Sequence, residues 1–215
     1  MRLLWTALML LPLTVIAQEV TLLKQKAFPK TVSAGNYSGI TWLGASRYAI
    51  ANDKSPTAGF YLMNIYGKAM GIKITKEATP SIVALIELVD KKSDKSAKAL
   101  KKVYFRKRPY VQLGETTPVP QWEKDSRKSS SYASHHSNLG WALSMVMAEV
   151  APECQDEVLR IGFNYGYDRV IVGYHWASDV EAGRLLAAAL VARMHADADF
   201  RQLIKQARAE YLKVL

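Results

Sequence analysis

Apolar residues recur along this chain at close to 3.6-residue spacing, and alternating apolar and polar positions are almost absent. The first spacing is the signature of helices that bury one face, and alternation is the signature of half-buried strands. Residues 57–70 form one such stretch, with Gly71 at its end. A second starts at Thr79-Pro80, a capping hydroxyl followed by proline at the first helical position. It runs over 81–100 with Ile82, Leu85, Ile86, Val89, Ala97 and Leu100 on one face. Pro109 is expected to stop anything helical there. Residues 111–131 read as loop, since they hold Gly114, Pro118 and Pro120, and every position from 126 to 130 is serine or basic. Helical spacing returns over 136–150, 152–167, 176–195 and 199–212. The predicted class is an all-α, single-domain helical bundle.

The two ends of the pattern divide the chain into three parts. Residues 1–17 carry a basic start at Arg2, a mostly apolar run broken by Pro12, and Val15-Ile16-Ala17 at a plausible cleavage position. That is the layout of a secretory signal peptide, and the run is short for a membrane span of roughly 20 apolar residues. No later apolar run escapes interruption by charge, so the mature chain is expected to lack a membrane span and to be periplasmic or secreted. Residues 18–56 have scattered Gly, Ser and Pro with little periodicity and read as an N-terminal arm. Residues 57–215 form the helical domain. A chain of 215 residues, 49% of them hydrophobic, suits one core and excludes a disordered class.

Charge and cysteine usage narrow the chemistry. Cys154 is the single cysteine, so no internal disulfide can form. It falls near a helix start and reads as an ordinary helical residue. The formal net charge is +10, concentrated at 91–108 and 124–128. Such a surplus gathers anionic ligands. By itself it also fits nucleic acid or a membrane surface.

Three clusters hold the residue types that chemistry needs. Lys101 and Arg108 are seven positions apart, two turns, and share a face if the segment is helical. A guanidinium fork and an ammonium converging on one point suit a phosphate. The second cluster is Ser131-Tyr132-Ala133-Ser134-His135-His136-Ser137, directly before a helix, where backbone amides favour an anion. There Ser134 is either a hydroxyl donor or a plain N-cap, and His136 can carry a proton near neutral pH. The third cluster contains Asp168, Arg169, His175 and Asp179. His175 and Asp179 stand four apart at a helix start, so the carboxylate can fix the imidazole tautomer and free its other nitrogen as a nucleophile. Arg169, six residues earlier, can swing in from a preceding loop. Together these supply an oxyanion cradle, an oriented imidazole and a second histidine, the inventory of phosphoryl transfer. Zinc-type Cys/His spacing is missing, as is the phosphate-cradling Gly-x-x-x-x-Gly-Lys-Ser/Thr loop. No cofactor or metal is therefore expected.

In order and spacing the clusters resemble the signature of the type-2 phosphatidic acid phosphatase superfamily: Lys-x6-Arg-Pro, Pro-Ser-Gly-His, then Ser-Arg-x5-His-x3-Asp. Here they read Lys101-x6-Arg108-Pro109, Ala133-Ser134-His135-His136 and Asp168-Arg169-x5-His175-x3-Asp179. Tyr104-Phe105-Arg106-Lys107 and Gly173-Tyr174-His175-Trp176-Ala177-Ser178-Asp179 look closest to the class A bacterial non-specific acid phosphatases. The resemblance covers about 79–212. It implies the helical fold shared with vanadium haloperoxidases and metal-free hydrolysis of small phosphorylated substrates at mildly acid pH. It further implies that His175 is the nucleophile, Asp179 its orienter and His136 the acid and then base. Lys101, Arg108, Ser134, Arg169 and the His135 amide would hold the phosphate.

The match has two departures. His135 stands where the family has glycine, after Ala133 in place of proline, and Asp168 replaces serine. A side chain at 135 can crowd or polarise the site, and Asp168 is expected either to pair with a cation or to face solvent. These departures motivate a rival reading, a weakened protein that binds phosphate or polyanions without turnover. A diphosphate (lipid-type) phosphatase and a vanadate-dependent haloperoxidase share the same cradle. Non-specific nucleic-acid binding through 91–108 is disfavoured because aromatics beyond Tyr104 and Phe105 are not interleaved there. A homo-oligomer is compatible with the sequence.

Overall fold

The computed structural model describes residues 58–117, 120 and 123–215. The expectations for 1–17 and 18–56 lie outside these. The described residues form helices α1 (Ala58–Ala69), α2 (Pro80–Val103), α3 (Pro109–Leu113), α4 (Glu123–Ser126), α5 (His135–Val150), α6 (Gln155–Ile171), α7 (Ala177–His195) and α8 (Ala198–Val214), with a 3-10 turn at Pro152–Cys154. No strand occurs among them, and the all-α class holds. No described helix is long and apolar enough to cross a membrane.

Most helices follow the spacing that predicted them. In α2, Ile82, Leu85, Ile86, Val89 and Ala97 are buried, and Pro80 occupies the first turn as expected. In α8, Phe200, Ile204, Ala207 and Tyr211 form the inner stripe. The N-terminus of α2 is tied to α8 by Glu210, whose carboxylate accepts from the amides of Ser81 at 2.8 Å and Ile82 at 3.2 Å. A carboxylate there satisfies orphan donors and opposes the positive end of the helix dipole.

The stretch around Pro109 departs from the expectation. Proline does not stop a helix here; it opens α3, its fixed φ and missing N–H being harmless in a first turn. Residues 111–131, read as loop, contain the rest of α3 and all of α4. Helix α2 ends at Val103, and Tyr104 and Arg108 are extended. Lys101 and Arg108 therefore do not share a helix face.

Helix α5 is the hub, packed against α2, α6, α7 and α8. Close approach depends on small residues. A Cβ on Gly166 of α6 would sit 2.9 Å from Ser137, and one on Gly183 of α7 would sit 2.7 Å from both Ser137 Cβ and the Ser134 carbonyl oxygen. Ser137 Oγ fills the narrow space and donates to Val180 O at 2.6 Å. Further along, Gly162 lies on the Gly140 carbonyl oxygen and the Ser144 hydroxyl. The first turn of α5 is thereby held between the last turns of α6 and the first turns of α7.

Gly162→Ala should test this contact. Alanine ordinarily favours a helix over glycine by about 1 kcal/mol, but here its methyl meets backbone, and overpacking costs about 1–3 kcal/mol. Because the methyl would overlap both the Gly140 carbonyl oxygen and the Ser144 hydroxyl, urea unfolding is expected to show a net loss of about 1–2 kcal/mol, and an unchanged midpoint would contradict the packing.

Candidate functional site

Three chain segments meet at the α5 and α7 N-termini. The first, running from Tyr104 to Arg108, lies beside residues 130–132. Ser131 N donates to Arg106 O at 2.9 Å, and Ser130 Oγ donates to Tyr104 O at 2.9 Å. Extended backbone sends alternate side chains to one side. Arg106 and Arg108 accordingly both turn inward, against the third segment.

Arg108 is 7% exposed, and its fork is held by backbone. Nε donates to Ser126 O at 2.9 Å, Nη1 to Tyr174 O at 3.0 Å, and Nη2 to Ser129 Oγ at 2.8 Å and Ser130 O at 3.3 Å. Lys101, from the last turns of α2, reaches the same Ser130 carbonyl through Nζ at 2.6 Å. The two cations thus converge through tertiary contact instead of a helical repeat. Burial, and then the neighbouring Arg108 charge, push the Lys101 ammonium down to about 7.

His175 is 3% exposed. Its Nε2 lies 3.2 Å from Arg108 Nη1. A guanidinium only donates, so Nε2 must be the acceptor and Nδ1 carries the proton. Nδ1 faces Asp179 Oδ2 at 3.6 Å, longer than a formed hydrogen bond. Burial chiefly, with the Arg108 charge adding to it, takes the imidazole down to about 3, although Asp179 pulls the other way. His175 is consequently neutral at physiological pH, with its lone pair directed at the cations.

Asp179 is fully buried and held from three directions. Arg106 Nη1 reaches Oδ1 at 2.8 Å, the Trp176 amide donates to Oδ2 at 2.9 Å, and His175 stands beside it. Burial opposes its charge, yet these contacts keep its carboxyl below the usual range. Arg106 also donates to Ser178 Oγ at 2.7 Å and lies over the Trp176 ring at 5.1 Å. The Asp179 carbonyl accepts from Ser134 N at 2.9 Å, which joins the second segment to the third.

The remaining sequence candidates occupy this neighbourhood in different ways. Ser134 is the N-cap of α5, its Oγ accepting from Ser137 N at 3.3 Å. Arg169 belongs to the last turn of α6, not to a loop; its guanidinium lies 4.4 Å from the Tyr174 ring centroid and its carbonyl accepts from His175 N at 3.1 Å. Asp168, expected to pair with a cation or face solvent, is 4% exposed and does not face solvent. His136, in the first turn of α5, has its ring 5.2 Å from that of Tyr165 on α6. Burial depresses the pKa of His135, while Asp94 and Asp90 of α2 act the other way. Among the described residues no group of three His, Cys, Asp or Glu is placed to hold a metal ion.

Sequence reasoning missed Arg106 and Ser130. Arg106 was legible in principle, because it alternates with Arg108 in an extended stretch. Ser130 sits in a serine-rich run with no distinguishing signal, and its importance lies in a backbone carbonyl.

Lysine, two buried arginines and a neutral imidazole are thus gathered in one neighbourhood. The PAP2 superfamily profile matches residues 81–202. The chain is 34% identical over 165 residues to a non-specific acid phosphatase of Providencia stuartii, covering 76% of this chain and 66% of that protein. It is 31% identical over 175 residues to a non-specific acid phosphatase of Salmonella typhimurium, covering 81% and 70%. An acid phosphatase of Zymomonas mobilis is 29% identical over 170 residues, covering 79% and 64%. The matches span about two thirds of each relative's length. This chain belongs to the PAP2 superfamily.

Two measurements probe the site directly. Breaking a buried ion pair by removing one partner costs about 3–5 kcal/mol. Arg106→Ala should therefore lower stability at pH 7 by roughly 3 kcal/mol in urea, since Asp179 is 0% and Arg106 12% exposed. For Lys101, the free protein loses its charge as pH rises through about 7. Affinity for sulfate, whose own charge is constant, should fall about tenfold between pH 7 and 8.5, and Lys101→Met should flatten that dependence. Calorimetric titration with sulfate reads both.

Proposed function

We propose that this protein is an exported acid phosphatase that hydrolyses phosphomonoesters through a phosphohistidine on His175, without a metal. The carrying observation is the 3.2 Å approach of the Arg108 guanidinium to His175 Nε2, with Nδ1 turned toward Asp179. It leaves a lone pair aimed into a cluster of cations.

In this reading the phosphate displaces the direct Arg108–His175 contact. Its three non-bridging oxygens are held by Lys101, Arg108 and Arg169, the Ser134 hydroxyl and the His135 amide at the α5 N-terminus. These cations balance the charge that spreads over the equatorial oxygens. Nε2 attacks phosphorus, the ester oxygen leaves, and His136 supplies its proton. Asp179 then faces an imidazole that has gained positive charge, which it stabilises. Water, deprotonated by His136, attacks the phosphoimidazole, and phosphate leaves with His175 restored. Acid pH favours the first step because His136 must start protonated. Phosphate itself binds better below about pH 7, where Lys101 is charged. The relatives' names support the acid phosphatase class. The leader-like pattern of 1–17 supports export, which fractionation of cells would test.

The experiment is release of phosphate from 4-nitrophenyl phosphate at mildly acid pH, in chelator. His175→Ala should lose activity by about 1,000-fold or more, comparable to loss of a covalent nucleophile elsewhere. A base quench of the working enzyme should trap an acid-labile phosphoimidazole. Near-wild-type turnover in His175→Ala would remove the mechanism. Sulfate binding without any turnover would leave the polyanion-binding reading in its place.

A further inference from the structure

The segment that carries Arg106 and Arg108 has an outer side that the site does not use. Alternation turns Arg106 and Arg108 inward, where both are largely covered, and leaves Phe105 and Lys107 facing solvent. Tyr104 turns to Tyr132 instead, their ring centroids 5.2 Å apart. Among the described large apolar residues outside the C-terminus, Val103 at 77% and Phe105 at 63% are the most exposed. Two such side chains within three positions are not the single, scattered exposure ordinary on a protein surface.

Lysines surround this corner. Lys102 precedes Val103, and Lys107 shares the outward side of Phe105. Upstream, Lys91, Lys95, Lys98 and Lys102 fall at i, i+4, i+7 and i+11 of α2, opposite its buried stripe, and all four are exposed. They run along roughly 17 Å of helix and end at the corner where the chain leaves it. Asp94 engages Lys98 at 2.7 Å, but both side chains are open to water, which weakens the pair.

We propose that this corner is a docking surface for an anionic lipid bilayer: Val103 and Phe105 enter the headgroup boundary, and the lysine stripe with Lys107 lies on the charged surface. Charge and apolar tip together select this partner. The lysines call for an anionic surface, whereas Val103 and Phe105 call for an apolar layer just beneath it. A bilayer of anionic lipids has that layering. Nucleic acid supplies the charge, but a valine has no flat face to stack on a base. A second copy of this chain presents the same positive charge, at a formal net of +10, and repels. Docked this way, the segment keeps its inner side, with Arg106 on Asp179 and Arg108 on His175, turned away from the lipid. The surface does not depend on what the site catalyses.

Sedimentation of the purified protein with vesicles tests the surface. Wild type should bind vesicles of equal parts phosphatidylglycerol and phosphatidylcholine, and should not bind phosphatidylcholine alone. Each lysine near an anionic surface strengthens binding about fivefold, so replacing Lys91, Lys95, Lys98 and Lys102 together by Gln should weaken it by about 100-fold or more. Phe105→Ser should weaken it about tenfold and leave its salt dependence as in wild type. Phe105→Leu should stay within about threefold of wild type. All these side chains are exposed, so the urea midpoints should match. A wild type that ignores anionic vesicles overturns the surface. So does binding that survives in both Phe105→Ser and the lysine variant, since another part of the chain would then hold the lipid. Binding that needs the lysines, is indifferent to Phe105 and is matched by a single-stranded oligonucleotide marks a polyanion site and overturns lipid docking. A dimer that Phe105→Ser breaks apart overturns it as well, the patch then being an interface between copies.

Discussion

One buried ion pair holds the site in register. Arg106 comes from an extended segment with no regular secondary structure of its own, and Asp179 from the first turn of α7. Neither charge can be left alone in a buried place without a cost of several kcal/mol, so their segments must stay together. Because Arg108 follows Arg106 by two residues on the same side, seating Arg106 also aims Arg108 at His175. Asp179 in turn receives the Trp176 amide and sends its carbonyl to Ser134. The pair thereby connects the extended segment, the start of α7 and the start of α5.

That connection creates an electrostatic tension. Lys101, Arg108 and Arg169 are brought close enough for their charges to act on one another in a partly dehydrated volume, with Asp179 beside Lys101. Asp179 is already engaged by Arg106. The surplus shows in Lys101, whose ammonium is held near neutral pH by burial and by Arg108. Under the proposed function a tetrahedral dianion would relieve the crowding, because it adds negative charge where the cations converge. Burial, with the Arg108 charge adding to it, keeps His175 uncharged.

Much of this was readable from the sequence, and the unread parts have definite reasons. Helix positions followed from apolar spacing because each helix buries one stripe: Leu139, Leu143, Val146 and Val150 in α5 are all buried. The region around Pro109 misled, since proline is compatible with both the end and the beginning of a helix, and sequence alone does not say which. The pairing of Lys101 with Arg108 was anticipated through a helical repeat that does not exist; they meet at the Ser130 carbonyl. Spacing along a chain reports local geometry, whereas that meeting depends on how an extended segment crosses a serine-rich loop.

By itself the sequence determined the all-helical class and the helix faces, because these depend on side-chain chemistry and short-range periodicity. Only the tertiary structure decided which nitrogen of His175 is free and why Arg106 matters. Those outcomes turn on contacts of about 3 Å between residues dozens of positions apart, and no local pattern encodes such distances.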